Sequence, residues 1–201
     1  MTGFEFGLFM VAWAIAAGSP GPATLAIAGT SMNRGRAAGI TVAAGIVCGS
    51  ATWGLAAALG LSALMAANAW VMEVMRYVAA AYLLFLASKA MRSALTDKPM
   101  IAVAAGQGGL PRLYVKGLLI HLTNPKAVLG WGAMFAIAVP VGASQIAVFE
   151  TYAALLSVSC CVLFGYAVLF STGVFARGFS ACAAGSRAHL QCYLALWVSK
   201  S

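Results

Sequence analysis

The chain has 201 residues, of which 63% are hydrophobic and only 8% charged, whereas soluble domains carry roughly 25% charged residues, so a water-soluble globule is excluded. The net charge of +8 comes from twelve Lys and Arg scattered in ones and twos between apolar runs; that pattern argues against a nucleic-acid-binding face and for signals that orient membrane helices. The five cysteines, Cys48, Cys160, Cys161, Cys182 and Cys192, form no C-x-x-C pair; they read as packing residues, with neither a disulfide framework nor a zinc site.

A spanning helix takes about 20 apolar residues, because the hydrocarbon layer is about 30 Å thick and each helical residue rises about 1.5 Å. The chain has room for about six such helices with short loops. It is therefore expected to be a single all-α transmembrane domain, residues 1–201, a polytopic helical bundle embedded in the lipid bilayer.

In chain order the apolar segments run from Phe4 to Met32, Ala37 to Ala67, Ala69 to Met91, Leu113 to Val139, Ser144 to Ala176 and Ala188 to Val198. No basic residue precedes the first segment, and further apolar segments follow it, so it reads as a span rather than a cleaved signal peptide. The sixth is about half the length that a span needs. Between Ser93 and Pro111 lie Asp97, Lys98, Pro99 and Gly106-Gln107-Gly108-Gly109, the composition of a mobile loop, here placed at about 93–111 on the cytoplasmic side.

Basic residues fix the expected orientation. The first connection carries Arg34 and Arg36, the third Lys89, Arg92, Lys98, Arg112 and Lys116, and the fifth Arg177 and Arg187. These three connections lie on one side. The other side holds only Arg76 and Lys200. The positive-inside rule makes the richer side cytoplasmic and both termini periplasmic. Small residues spaced as in Gly45-x-x-x-Gly49 and Gly35-x-x-x-Gly39 are expected to be helix-packing faces.

The informative features are two interruptions, Ser19-Pro20-Gly21-Pro22-Ala23 in segment one and Thr123-Asn124-Pro125-Lys126-Ala127 in segment four. Each falls about 20 Å or more into its span. Segments one and four open two sets of three helices, and an odd number of spans inverts the second set, so the expected architecture is a 3+3 inverted repeat. Matched interruptions in the two halves point to a transport site near the bilayer midplane. Proline lacks an N–H and clashes with the carbonyl four residues earlier. Pro20, Pro22 and Pro125 should thus free the carbonyls of Ala16, Gly18 and His121. Irregular backbone at that depth survives where it is covered by protein or lines a polar cavity. Ser19, and Thr123 or Asn124, are the expected caps of the half-helices that follow, whose positive ends favour anions.

Freed carbonyls can accept from an ammonium group, and a half-helix N-terminus with Lys126 can hold a carboxylate. The solute that matches both is an amino-acid-like zwitterion. The substrate-binding residues are therefore expected to be Ser19, Pro20, Gly21, Pro22, Thr123, Asn124, Pro125 and Lys126. Lys126 is the sharpest of them, because an intramembrane charge is costly unless paired or wetted. His121 reads equally well as a packed residue. Glu150, about six residues into segment five, is the candidate for coupling to protons. No metal-ligand cluster, cofactor motif or catalytic set of side chains stands out.

In these residues the chain resembles the LysE/RhtB family of bacterial amino acid exporters. The resemblance rests on Ser19-Pro20-Gly21-Pro22, Arg34-Gly35-Arg36-Ala37-Ala38-Gly39, Gly60-Leu61, Ala80-Ala81-Tyr82-Leu83 and Leu122-Thr123-Asn124-Pro125-Lys126-Ala127, and spans roughly Phe4 to Phe170. It implies six helices and proton-driven efflux of amino acids or related metabolites across the inner membrane. Two departures stand out: Ser50 follows Gly49 where many members carry an acid, and Arg177 to Ser201 lacks a Gly-rich final helix. The alternatives are a membrane thiol relay, which would need cysteines beside Pro20 or Pro125, and a metal-ion exporter, which would need thiolates, imidazoles or carboxylates at the breaks. Homo-oligomerisation is left open.

Overall fold

Apolar runs of this kind have one way to satisfy their backbone away from water, which is to turn each N–H onto a carbonyl of the same helix. The computed structural model describes residues 3–67, 108–140 and 142–172, with Val74, Tyr77, Ala81, Leu84 and Ser88 as isolated helical positions. Every regular element among the described residues is α-helical: α1 (Gly3–Gly18), α2 (Pro22–Ala67), α3 (Leu110–Leu122), α4 (Pro125–Ala138) and α5 (Gln145–Phe170). Most of the third segment, the sixth segment and residues 93–107 of the expected loop lie outside the described residues.

Pro22–Gly60 and Gln145–Phe170 are long and apolar enough to cross a membrane, while Phe4–Gly18 and Pro125–Ala138 are shorter apolar helices. The shorter ones are halves. α1 is separated from α2 only by Ser19–Gly21, and α3 from α4 only by Thr123 and Asn124. α2 is itself two arms that meet at Gly35, whose φ of 81° and ψ of 179° are accessible to glycine and strained for other residues. The first interrupted span is thus α1 with the first arm of α2, and the second is α3 with α4.

The elements differ from the sequence expectation at three places. α3 begins at Leu110, capped by Gly109 with Pro111 in the first turn, so the end of the expected 93–111 loop is helical. Proline fits there because the first-turn N–H groups have no partner within the helix. α5 stops at Phe170, where Ser171 Oγ donates back to the Val168 carbonyl at 2.6 Å. Of Gly35-x-x-x-Gly39 only the second glycine is a packing position: Gly35 is the turn between the arms, with nothing within 4 Å of a Cβ built on it, whereas a Cβ on helical Gly39 would strike Ser31 of the preceding arm.

Gly45-x-x-x-Gly49 does carry a close helix crossing. A Cβ on Gly45 would strike the Tyr114 carbonyl, one on Gly117 would strike the Val42 carbonyl, and one on Gly49 would stand 2.9 Å from the Cβ of His121. The second arm of α2 and α3 therefore touch backbone to backbone, as small residues permit where lipid gives helices no hydrophobic drive to associate.

Two hydrogen bonds set the ends of the bundle. Arg34 Nη2 donates to the Gly108 carbonyl at 2.7 Å, and Arg36 Nε to Ser171 Oγ at 3.1 Å. The Gly35 turn, the start of α3 and the end of α5 thus meet at one end. It follows that α1 and the first arm of α2 run toward this end, while α3 and α4 run away from it. The two interrupted spans are antiparallel, with each break about 20 Å from the arginine end at about 1.5 Å per residue.

Large apolar side chains cover the outside, among them Phe4, Leu8 and Ile15 on α1, Leu119 on α3 and Ile146 on α5. Inside are two apolar clusters. One gathers Phe9, Trp13, Trp131, Phe135, Val148 and Leu155; the other, toward the arginine end, gathers Ile27, Val42, Ile46, Leu113 and Leu163.

Candidate functional site

Between the two clusters is a cavity bordered by both breaks. Its wall includes Trp13, Ser19, Gly21 and Thr24 from the first interrupted span, Ser50 from the second arm of α2, His121, Asn124, Lys126 and Trp131 from the second interrupted span, and Ser159 from α5. The empty space is about 590 Å³ with its open mouth included.

Each break is built by local hydrogen bonding. Gly21 is the residue before α2, and its N–H donates to Thr24 Oγ1 at 3.0 Å while its carbonyl accepts from Leu25 N at 2.9 Å. Ser19 is therefore not the cap that its sequence position suggests. Its hydroxyl instead donates to the Ala16 carbonyl at 2.9 Å. At the second break Asn124 is the cap, and its Oδ1 accepts from Lys126 N at 3.1 Å. Thr123 turns its hydroxyl back onto the Leu119 carbonyl at 2.8 Å.

The carbonyls opposite the prolines all have partners. Ala16 O accepts from Ser19 Oγ, Gly18 O accepts from the Tyr166 hydroxyl at 2.6 Å, and His121 O accepts from Asn124 N at 3.1 Å. The expectation that these three groups await an ammonium is corrected: protein groups within hydrogen-bonding reach satisfy them. The acceptor presented at the cavity is Ser19 O.

Lys126 joins the two breaks. Its Nζ donates to Ser19 O at 3.2 Å and to Ser19 Oγ, crossing from the head of α4 to the residue that follows α1. The Lys126 ammonium is the one charged group among the described cavity residues. Two tryptophans close the far side. Trp131 is buried, its ring centroid 5.0 Å from that of Trp13, and its Nε1 donates to Ser50 Oγ at 3.0 Å. Trp13 Nε1 donates to Ser159 Oγ at 2.9 Å and to Leu155 O at 2.8 Å.

Of the residues expected from sequence to touch a solute, Ser19, Gly21, Asn124 and Lys126 border the cavity. Pro20, Pro22, Thr123 and Pro125 do not; all four are exposed, and they shape the breaks without entering the cavity. Glu150 is exposed on α5 and away from the cavity wall, so the structure does not bring the expected proton-coupling residue to the site. Sequence reasoning missed Trp13, Thr24, Ser50, Trp131 and Ser159. A partial signal existed, because a buried indole N–H usually finds an acceptor, and Ser50 and Ser159 are such acceptors.

Residues 14–185 match the model of the LysE type translocators. The threonine efflux proteins of Salmonella typhi and Escherichia coli (strain K12) are 31% and 32% identical to the chain over 123 and 122 residues, each match covering 59% of the chain and 59% of the relative. The leucine efflux protein of Salmonella choleraesuis is 33% identical over 118 residues, which cover 58% of the chain and 54% of that relative. The chain thus spans less than two thirds of the length of the curated relatives it matches. No solved structure matches it.

Proposed function

We propose that this chain, which belongs to the LysE family of translocators, exports a small amino acid or a related zwitterion from the bacterial cytoplasm across the inner membrane. It is a membrane transport protein and not an enzyme. The observation that carries the proposal is the Lys126 bridge: the cation of one broken helix is held on the backbone and hydroxyl of the other, inside a cavity between two apolar clusters.

In this reading the solute exchanges with that bridge. Its carboxylate takes the Lys126 ammonium, and its ammonium takes the Ser19 carbonyl that Lys126 releases. Each charge leaves one partner for another, so neither is stripped bare at a depth where an unpaired charge is costly. Trp13 and Trp131 face the remainder of the molecule. Ser19, Gly21, Asn124 and Lys126 form the binding set, and Glu150 is left out because of its position.

The full architecture we propose is six spans in a 3+3 inverted repeat, which the antiparallel sense of the two interrupted spans supports. The arginine end is cytoplasmic by the positive-inside rule, and both termini are periplasmic. Export is driven by the proton gradient. The test is purified full-length chain in proteoliposomes, with a panel of radiolabelled amino acids and an imposed pH gradient. Wild-type protein should move at least one amino acid and Lys126→Met none. Failure of the wild type on the entire panel rejects the proposal. Export independent of the pH gradient rejects the coupling alone.

A further inference from the structure

Of the three carbonyls opposite the prolines, two are satisfied from within their own break, Ala16 O by Ser19 Oγ and His121 O by Asn124 N. Gly18 O is held by a different helix. Its partner is the Tyr166 hydroxyl, 148 positions away on α5, at 2.6 Å. The two helices meet closely here: a Cβ on Gly18 would stand 3.3 Å from Val162 Cγ1 and 3.9 Å from Tyr166 Cε2. The phenol ring is stacked in turn on Phe170, with centroids 5.5 Å apart and planes 22° from parallel. Tyr166 lies outside the cavity wall, and the exchange of charges proposed above makes no use of it.

The Gly18 carbonyl and the Ser19 N–H share one rigid peptide plane, so holding the first fixes the plane from which Ser19 hangs. Two further restraints act on Ser19. Its hydroxyl is tied to Ala16 O, and the ring of Pro20 disfavours a helical ψ at the residue before it. With plane, side chain and ψ all restrained, the Ser19 carbonyl has little freedom of direction, and it is the oxygen that Lys126 Nζ reaches at 3.2 Å. We infer that Tyr166 is a positioning residue of the transport site. Acting through Gly18, it aims the Ser19 carbonyl at an ammonium, that of Lys126 in the bridge and that of the solute during export. The inference rests on the proposed exchange of charges and gives it a support on α5, the helix to which neither break belongs.

Tyr166→Phe removes only the hydroxyl and keeps the ring against Phe170 and Gly18. Tyr152→Phe is the matched control, because the Tyr152 hydroxyl donates from the same helix to a carbonyl of α2, Ala51 O at 3.3 Å, and not to a break. The first measurement reads stability without transport. If Tyr166 aims Ser19 at Lys126, losing both should cost less than the two single losses combined. Tyr166→Phe should therefore lower the thermal midpoint of detergent-solubilised protein by at least about 2 °C more in the wild type than in the Lys126→Met background. Tyr152→Phe should lower it equally in both.

The second measurement reads recognition of the ammonium. The probes are alanine with lactate, and leucine and threonine each with the α-hydroxy acid of the same side chain, pairs in which a neutral hydroxyl replaces the ammonium. A charged donor makes a hydrogen bond roughly twice as strong as a neutral one, so in proteoliposomes the wild type should favour the amino acid about tenfold in kcat/KM. Tyr166→Phe should shrink that ratio at least about threefold, and Tyr152→Phe should keep it. A tyrosine with a purely structural role would lower both members of a pair alike. The inference is overturned if Tyr166→Phe costs the same in both backgrounds, if it leaves the ratio unchanged, if Tyr152→Phe moves the ratio as far, or if the wild type exports both members of a pair equally well. If none of the probes is exported, the melts alone decide. If no amino acid moves at all, the proposed function has failed, and the melts still report whether Tyr166 aims Ser19 at Lys126.

Discussion

Replacing Ser19 and Lys126 singly and together gives a stability cycle that tests the bridge without reference to transport. Ser19→Ala removes the hydroxyl that accepts from Lys126 Nζ and donates to the Ala16 carbonyl. A hydrogen bond to a charged group contributes about 1.5–3 kcal/mol, and a neutral one about 0.5–1.5 kcal/mol. The single change should therefore cost about 2–4.5 kcal/mol, less whatever water restores at this partly buried position. Lys126→Met behaves oppositely. It removes a partly buried cation and leaves Ser19 O in reach of Thr24 Oγ1 at 3.4 Å, so stability should hold or rise. In the Lys126→Met background Ser19→Ala should cost only the Ala16 bond, about 1 kcal/mol. The difference, about 1.5–3 kcal/mol of coupling, corresponds to about 3–12 °C in thermal midpoint for a chain of this size. Tryptophan fluorescence of detergent-solubilised protein at a fixed heating rate would measure it. Equal losses from Ser19→Ala in both backgrounds would show that Lys126 does not hold Ser19, and the proposed exchange of charges would fail with it.

Gly35→Ala should destabilise by about 1–3 kcal/mol from backbone strain alone, because nothing stands within 4 Å of the added methyl; Gly132→Ala, equally open but without a positive φ, is the control in the same melt. Gly117→Val should push α3 off the Val42 carbonyl and be read as loss of folded protein in size-exclusion chromatography, where Gly165→Val at an uncrowded site should behave as wild type. Ser50→Ala strands the buried Trp131 N–H and should cost about 1–3 kcal/mol, with a shifted emission maximum as its spectroscopic sign. Replacing all five cysteines by alanine should leave most export intact, since Cys48, Cys160 and Cys161 are away from the cavity wall; loss of activity with normal folding would favour a thiol mechanism.

Much of the fold was legible because hydrocarbon imposes simple conditions. Among the described residues, the apolar helices, the two interruptions and the placing of Arg34, Arg36 and Arg112 at one end followed from hydropathy, proline chemistry and charge. Lys126 was legible for the same reason, since its charge stands out against its surroundings. The rest needed contacts between helices. Pro20, Pro22 and Pro125 mark the breaks, but no local rule says that Ser19, Tyr166 and Asn124 satisfy the carbonyls opposite them. Trp13 and Trp131 looked like ordinary apolar residues until Ser159 and Ser50 were found facing them. His121 could be read as packed or functional, and its surroundings, where Gly49 of the second arm of α2 crowds its Cβ, depend on which helix lies across from it. Glu150 shows the converse error: an acid at a suggestive depth along a helix can still point outward.

The arginines at the Gly35 turn have a consequence for how the chain tolerates change. The orientation of a membrane helix responds to positive charge near its ends, and lysine serves that purpose as well as arginine. The two bonds observed ask for more: Arg34 reaches a carbonyl at the head of α3, and Arg36 a hydroxyl at the foot of α5, through nitrogens of a planar fork that an ammonium lacks. A lysine at either position would preserve the direction in which the chain is threaded, but its compact ammonium would have to re-aim to reach the same acceptor, so the fastening of the helix ends should weaken while the orientation holds. Insertion and assembly thus draw on the same two side chains through separable properties, charge for the first and shape for the second.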